Sequence, residues 1–143
     1  MIIKELKNLN LVQPNQYCIQ FDQMIEDEQS HNLFFRHYRF GDMYSILLKR
    51  KFRPLDLNLT RNIILQLAKS LQHLKNVGIV HRDLKFENIF VSSFNQKQKT
   101  INVVLADFGL SEKMNSNKHY LTKRAGTEGY LSPEILLEKP YSH

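Results

Sequence analysis

Between Ile79-Val80 and Ile89-Phe90-Val91 the chain places His81-Arg82-Asp83-Leu84-Lys85-Phe86-Glu87-Asn88, five ionisable side chains and an amide in eight residues. A carboxylate such as Asp83 can accept a proton from a hydroxyl. The carboxamide of Asn88, five residues on, can ligate a hard cation. Lys85 offers a positive point charge to a phosphate. This is the set that phosphoryl transfer asks for, because that reaction needs little covalent chemistry and much positioning and charge stabilisation. A second acid, Asp107, stands 24 residues after Asp83, at the end of the apolar run Ile101–Leu105, and is followed by Phe108-Gly109. A carboxylate at a strand end can bridge Mg²⁺ to phosphate oxygens, and a glycine lets the backbone turn. The chemistry requires Asp83, Asn88 and Asp107 to converge around a shared divalent ion.

The elements that must position these residues follow from periodicity. Short apolar runs on both sides of the 81–88 segment read as two buried strands that hold a rigid loop. Ile89–Val91 and Ile101–Leu105 read as a hairpin, with polar Ser92–Thr100 as its connection. The clearest helix spans Leu59 to Val77, with Thr60 as N-cap, a buried stripe of Ile63, Ile64, Leu67, Ala68, Leu71 and Leu74, and Gly78 as its stop. Upstream, Ile2, Ile3, Leu6 and Leu9 give a first helix that Pro14-Asn15 breaks. Tyr17–Phe21 and Asn32–Tyr38 read as an antiparallel pair about the acidic turn Asp22–Ser30. Gly41-Asp42 starts a short helix, Met43 to about Lys51, that Arg53-Pro54 ends. Leu110–Ala125 shows no periodicity and reads as a mobile loop, and Ser132-Pro133-Glu134 starts a final helix.

The ordered set His81-Arg82-Asp83-Leu84-x-x-x-Asn88 resembles the catalytic loop of the eukaryotic protein kinases, and Lys85 two residues after Asp83 is similar to the serine/threonine branch. Phe86 departs from the family's usual proline, and Ser132 from its usual alanine. The resemblance implies an α+β, protein-kinase-like fold in part: residues 1–35 as a remnant of the small N-terminal lobe, 36–41 as hinge, and 42–143 as the first half of the mainly helical C-terminal lobe. It implies transfer of the ATP γ-phosphoryl group to Ser or Thr hydroxyls of a protein substrate, with ATP and Mg²⁺ as cofactors. Asp83 is then the base, assisted by Lys85 and Asn88, and Asp107 with Asn88 holds the metal. Phe35, Arg36, Tyr38 and Phe90 take the ATP base, with Phe35 as gatekeeper. Gly126, Thr127 and Tyr130 receive the substrate peptide, and Thr127 bonds toward Asp83 and Lys85. Leu6, His81 and Phe108 form an apolar spine. Arg82 pairs with a phosphate on the 110–125 segment, whose hydroxyls are Ser111, Ser116, Tyr120 and Thr122, with Thr122 the acceptor.

Other parts of the family pattern do not match. No Gly-rich phosphate loop or V-A-I-K lysine is found, and the helix glutamate that pairs with that lysine would fall near Ile2. The expectation is therefore weak transfer by the chain as given, and apolar faces of 59–77 and 135–137 left for a partner or the remainder of the domain to cover. The alternative reading is a non-catalytic, kinase-derived binding or scaffold module.

Composition bounds the rest. The 143 residues suffice for one ordinary domain, 42% hydrophobic and 24% charged. Cys18 is the single cysteine, which excludes an internal disulfide and a thiolate metal site and suits a reducing, cytoplasmic compartment, or the nucleus. The net charge of +6 is spread along the chain, with one cluster at Lys49-Arg50-Lys51-Phe52-Arg53. That scatter argues against nucleic acid as a partner, and the lack of a long apolar run argues against a membrane.

Overall fold

The computed structural model describes residues 2–27, 29–114 and 120–143. Ser116 and His119 lie outside the described residues. The first helix, α1, runs Ile2–Val12. Leu9 and Val12 are fully buried on one face, and Pro14 follows directly where the helical pattern stops.

Strands β1 (Phe21–Glu26) and β2 (His31–Phe35) pair antiparallel. The expected strand Tyr17–Phe21 is therefore displaced: residues 21–26 form the strand, and the Asp27 carboxylate in the turn accepts the Gln29 and Ser30 amides at 2.9 and 2.8 Å. Residues 17–19 pair elsewhere. The Ile19 amide donates to the Leu105 carbonyl at 2.8 Å and the Leu105 amide to the Tyr17 carbonyl at 2.9 Å. The reason is burial, since Cys18 is fully covered and Ile19 nearly so when they lie against Leu105. Burial pushes the Cys18 thiol up to about 11, so it stays protonated at neutral pH.

Helix α2 (Met43–Lys49) is capped by Asp42, which accepts the Ser45 amide at 2.7 Å. Helix α3 (Leu57–Asn76) starts two residues earlier than the sequence pattern predicts. Its N-cap is Asp56, not Thr60, because the Asp56 carboxylate accepts the Asn58 amide at 2.9 Å while the Thr60 hydroxyl turns back to the Asp56 carbonyl. Its buried face also differs from the expected stripe. Ile63, Gln66, Ser70 and Leu74 are buried, whereas Ile64 and Leu71 are exposed. Gln66 explains the rotation: its carboxamide donates to the Ile101 carbonyl at 2.8 Å and accepts the Val103 amide at 3.0 Å. A buried polar side chain with both ends satisfied docks the helix on a strand as firmly as an apolar one.

That strand is β5 (Thr100–Leu105), paired antiparallel with β4 (Ile89–Asn95). The hairpin was expected, but β4 extends four residues beyond Val91. Two-residue strands β3 (Ile79–Val80) and β6 (Glu112–Lys113) form a second ladder, and α4 (Pro133–Leu136) closes the order. Ser132 occupies the N-cap position of α4 without a side-chain bond to its backbone. Two apolar clusters hold the elements together. One joins Leu9, Val12, Leu74, Ile79, Leu105 and Phe108. The other joins Met43, Ile63, Ile89, Val91, Ile101 and Val103. The catalytic-type loop lies between them.

Candidate functional site

The loop from His81 to Asn88 is clamped at one residue, Ala106. The Ala106 amide donates to the Asn88 carbonyl at 2.8 Å, and its carbonyl accepts from His81 Nε2 at 3.0 Å. Ala106 immediately precedes Asp107, so this clamp carries the second acid to the loop that holds the first. His81 Nδ1 accepts the Asp83 amide at 3.3 Å, which fixes a neutral ring with the proton on Nε2. Burial holds the His81 pKa below its ordinary value, against the Ala106 bond and the charges of Asp107 and Asp83.

Asp83 is 4% exposed and fully bonded. Its Oδ1 accepts the Thr127 hydroxyl at 2.6 Å. Its Oδ2 lies 2.9 Å from Lys85 Nζ and 3.0 Å from Asn88 Nδ2. Lys85 also donates to Thr127 Oγ1 at 2.8 Å, so acid, ammonium and hydroxyl form a closed triangle. Burial raises the Asp83 pKa, but the bonds from Thr127, Lys85 and Asn88 outweigh it and leave the carboxyl below its ordinary range. Asp83 is therefore held as an anion near neutral pH. The Lys85 ammonium is held above its usual pKa, first by its bond to Asp83 and then by the charges of Asp83, Glu87 and Asp107. One lysine thus feels both acids.

Both carboxamide protons of Asn88 that find partners go to Asp83, to its carbonyl at 2.8 Å and its carboxylate at 3.0 Å, so the carboxamide oxygen is the atom left to ligate. Asp107 is exposed, adopts φ 62°, and accepts the Gly109 amide at 3.1 Å. Among the described residues it has no ion pair. Two hard oxygen donors on residues tied together through Ala106 fit a magnesium ion in chemistry.

The apolar spine is corrected in one member. The rings of His81 and Phe108 meet edge to face at 5.1 Å, and Phe108 is buried with Leu9. Leu6 is only half-buried and lies outside that cluster. Because Leu9 and Val12 fix the inward face of α1, Glu5, one turn before Leu9, points the same way. A Cβ placed on Gly109 would lie 3.6 Å from the Glu5 carboxylate, and Glu5 has its pKa raised, by burial first and then by Asp107. An acid on the first helix, which the family pattern placed near Ile2, is thus present at Glu5 beside Asp107. A spacing of four to the first fully buried leucine would have revealed it.

On the strand-to-helix connection, Phe35 meets the Phe21 ring edge to face at 5.8 Å and packs against the first cluster. Arg36 donates its amide to the Gln20 carbonyl at 3.0 Å. Tyr38 buries its ring 6.1 Å from Phe90 while its hydroxyl accepts the Gln20 amide at 3.1 Å. The Tyr38 carbonyl accepts from Gly41, whose own carbonyl accepts the Val91 amide, both at 2.9 Å. Phe35, Tyr38 and Phe90 thereby pack at the first cluster, and Arg36 joins it through its backbone bond to Gln20.

Gly126 has φ 120°, and a Cβ there would lie 2.7 Å from the Arg82 carbonyl. Only glycine lets this segment come so close. Tyr130 is exposed, and its amide donates to the Thr127 carbonyl at 3.1 Å. Thr122 is exposed. Arg82 is engaged elsewhere, donating to the Leu110 carbonyl, Glu112 and the Tyr141 hydroxyl at 2.7, 3.2 and 3.4 Å. An open cavity of about 510 Å³ lies beneath, between α3 and α4, with Leu71, Leu74, Tyr130, Ile135 and Tyr141 in its wall. Ile64, Leu71, Leu136 and Leu137 are exposed apolar side chains on these two helices and the residue after α4. Among the described residues, no helix is long and apolar enough to cross a membrane.

A buried carboxylate bonded to a lysine and a threonine, in a loop clamped to the residue before a second acid, is the arrangement that the resemblance to the protein kinases implies. Comparison with known proteins agrees: residues 1–143 match the family described as the protein kinase domain, and the chain belongs to that family. It is 36% identical over 124 residues to the calcium/calmodulin-dependent protein kinase type II alpha chain of Drosophila melanogaster, across 86% of this chain and 22% of that protein. It is 37% identical over 133 residues to calcium/calmodulin-dependent protein kinase type II of Caenorhabditis elegans, across 92% of this chain and 17% of that one. The chain thus spans about a fifth of the length of these relatives.

Proposed function

We propose that this chain carries the phosphoryl-transfer half of a serine/threonine protein kinase site. The observation that supports it most is the triangle of Asp83, Lys85 and Thr127, with sides of 2.6, 2.8 and 2.9 Å. Asp83 accepts the proton of a substrate Ser or Thr hydroxyl and aims its oxygen. Lys85, already donating to Asp83, neutralises charge on the phosphoryl group in flight. Thr127 ties the peptide-receiving segment to the base, so that an acceptor hydroxyl arrives where Asp83 can use it. Asp107 and the Asn88 oxygen hold Mg²⁺, which offsets the charge of the ATP phosphates when bound. The backbone of Arg36 and Tyr38 takes the adenine edge, with Phe35 and Phe90 against the ring. Thr122 is the candidate acceptor of a regulatory phosphate. The reducing cytoplasm is the compartment that suits a lone buried thiol.

Two measurements test the reading. ATP should raise the melting temperature with Mg²⁺ and much less without it, and Asp107→Asn should abolish the Mg²⁺-dependent part. Transfer of radiolabelled phosphate to a Ser/Thr peptide, in a preparation that shows it, should fall by about 10²–10⁴ in Asp83→Asn. A binding module would show neither response, and an unchanged transfer rate in Asp83→Asn would remove that residue from the role of base.

A further inference from the structure

Glu112 is a carboxylate shared by two cations from two distant parts of the chain. It lies 2.6 Å from Lys4 on α1 and 3.2 Å from Arg82 in the catalytic loop. The Arg82 side chain is only 5% exposed, so its charge has little water to rely on and depends on this partner. Its backbone also sits at φ 72°, in the left-handed region that non-glycine residues avoid. A residue in that conformation persists only when its surroundings hold it there. Three contacts do so, and Glu112 is the only charged one among the described residues. The next residue along the chain is Asp83. Glu112 is moreover anchored through its own backbone, since β6 pairs with β3 and places it opposite Val80. Beside it, Asn8 of α1 donates to the Ser111 carbonyl at 3.1 Å and hydroxyl at 2.9 Å. One face of α1 is thus fastened to residues 111–112, and residue 112 to the loop.

We propose that Glu112 is a positioning residue for the catalytic loop: its carboxylate gathers Arg82 and Lys4, so α1 and the loop that bears Asp83 are locked together without an added phosphate. An anion that orders a loop through paired cations is what a phosphate group provides. Here a carboxylate of the chain already fills that place, and Thr122, exposed and without a bond to Arg82, is not needed for it. The inference rests on the kinase reading only for the use made of Asp83; the lock itself is a property of the fold.

Hydrogen exchange, measured by mass spectrometry without nucleotide, tests it on the whole chain after phosphatase treatment, with intact mass used to verify that no phosphate is present. Wild type should keep residues 80–83 and 111–113 protected. Glu112→Gln and Glu112→Ala should speed exchange there by about 10-fold or more while α3 stays protected, as local opening requires. Glu112→Asp should restore part of the protection. Where transfer can be assayed, Glu112→Gln should lower kcat by up to about 10²-fold with the peptide KM unchanged, the mark of a displaced catalytic group. The idea is overturned if both variants exchange like wild type, or if phosphatase treatment alone removes the protection. Should Glu112→Ala also unfold α3, the exposed Lys4→Ala decides: faster exchange confined to α1 supports the lock, and an unaltered α1 refutes it. A chain that transfers no phosphate still gives the exchange result, so the two readings fail separately.

Discussion

Thr127→Val removes one hydroxyl and almost no volume, and it tests the centre of the site. In wild type the Thr127 hydroxyl donates to Asp83 Oδ1 at 2.6 Å and accepts from Lys85 at 2.8 Å. Valine leaves Oδ1 of a carboxylate that is 4% exposed without its nearest donor. A hydrogen bond to a charged group contributes about 1.5–3 kcal/mol, and an unsatisfied buried group costs a similar amount. At a urea dependence of about 2 kcal/mol per molar, the unfolding midpoint should fall by roughly 1 M at pH 7. The pH dependence gives the sharper test. The Asp83 pKa is depressed in the folded state because its hydrogen bonds outweigh burial. Its stabilising effect is therefore present above the ordinary aspartate value of about 3.9, and is lost as pH falls through the depressed folded value. Removing the Thr127 bond raises that folded value. The difference between wild type and Thr127→Val should accordingly be largest near neutrality and shrink once Asp83 is protonated in both. Thr127→Ser, which keeps the hydroxyl, should behave like wild type. Urea melts at several pH values decide the matter. A penalty equal at acid and neutral pH, or one shared by the serine variant, would show that the loss comes from packing and not from the bond to Asp83.

Two further outcomes follow from packing. Leu9→Ala should cost about 2–5 kcal/mol, as for other fully buried leucines, whereas Leu6→Ala, half-buried, should cost clearly less; equal losses in denaturant melts would contradict the assignment of Leu9 to the Phe108 cluster. Gly126→Ala meets the Arg82 backbone carbonyl at 2.7 Å with φ 120°, so residues 126–131 should detach from the loop and exchange amide hydrogens faster while α3 is unaffected, and protection equal to wild type would count against that close approach.

Much of the site was legible in the sequence because its chemistry is local. Asp83, Lys85 and Asn88 lie within six residues, a loop held between two apolar runs presents them together, and the hairpin that returns Asp107 is written in the alternation of β4 and β5. What failed turns on which side of an element faces inward, although Ile63, Leu74 and Leu9 are buried as their spacing predicts. Periodicity put Ile64 and Leu71 in the core of α3, but the core is formed with Gln66 and Ser70, because polar groups with buried partners, strand backbone for Gln66 and the Cys18 thiol for Ser70, bury as well as leucine does. The family resemblance put Leu6 on the spine and placed the helix acid near Ile2 rather than at Glu5. The rotation of α1 is set by Leu9 and Val12 against residues that are distant in sequence, and that rotation brings Glu5 and Lys4 to residues 107–112.

The sequence by itself determined the chemical inventory, the order of the elements and the family, since these follow from residue types at short spacings. Only the tertiary structure decided which acid on α1 meets Asp107, that Ala106 clamps the two halves of the site, and that Arg82 already holds a carboxylate. Those contacts reach across 18 to 102 positions of the sequence. Their free energy comes from desolvating and pairing groups that have no neighbourhood until the chain has folded.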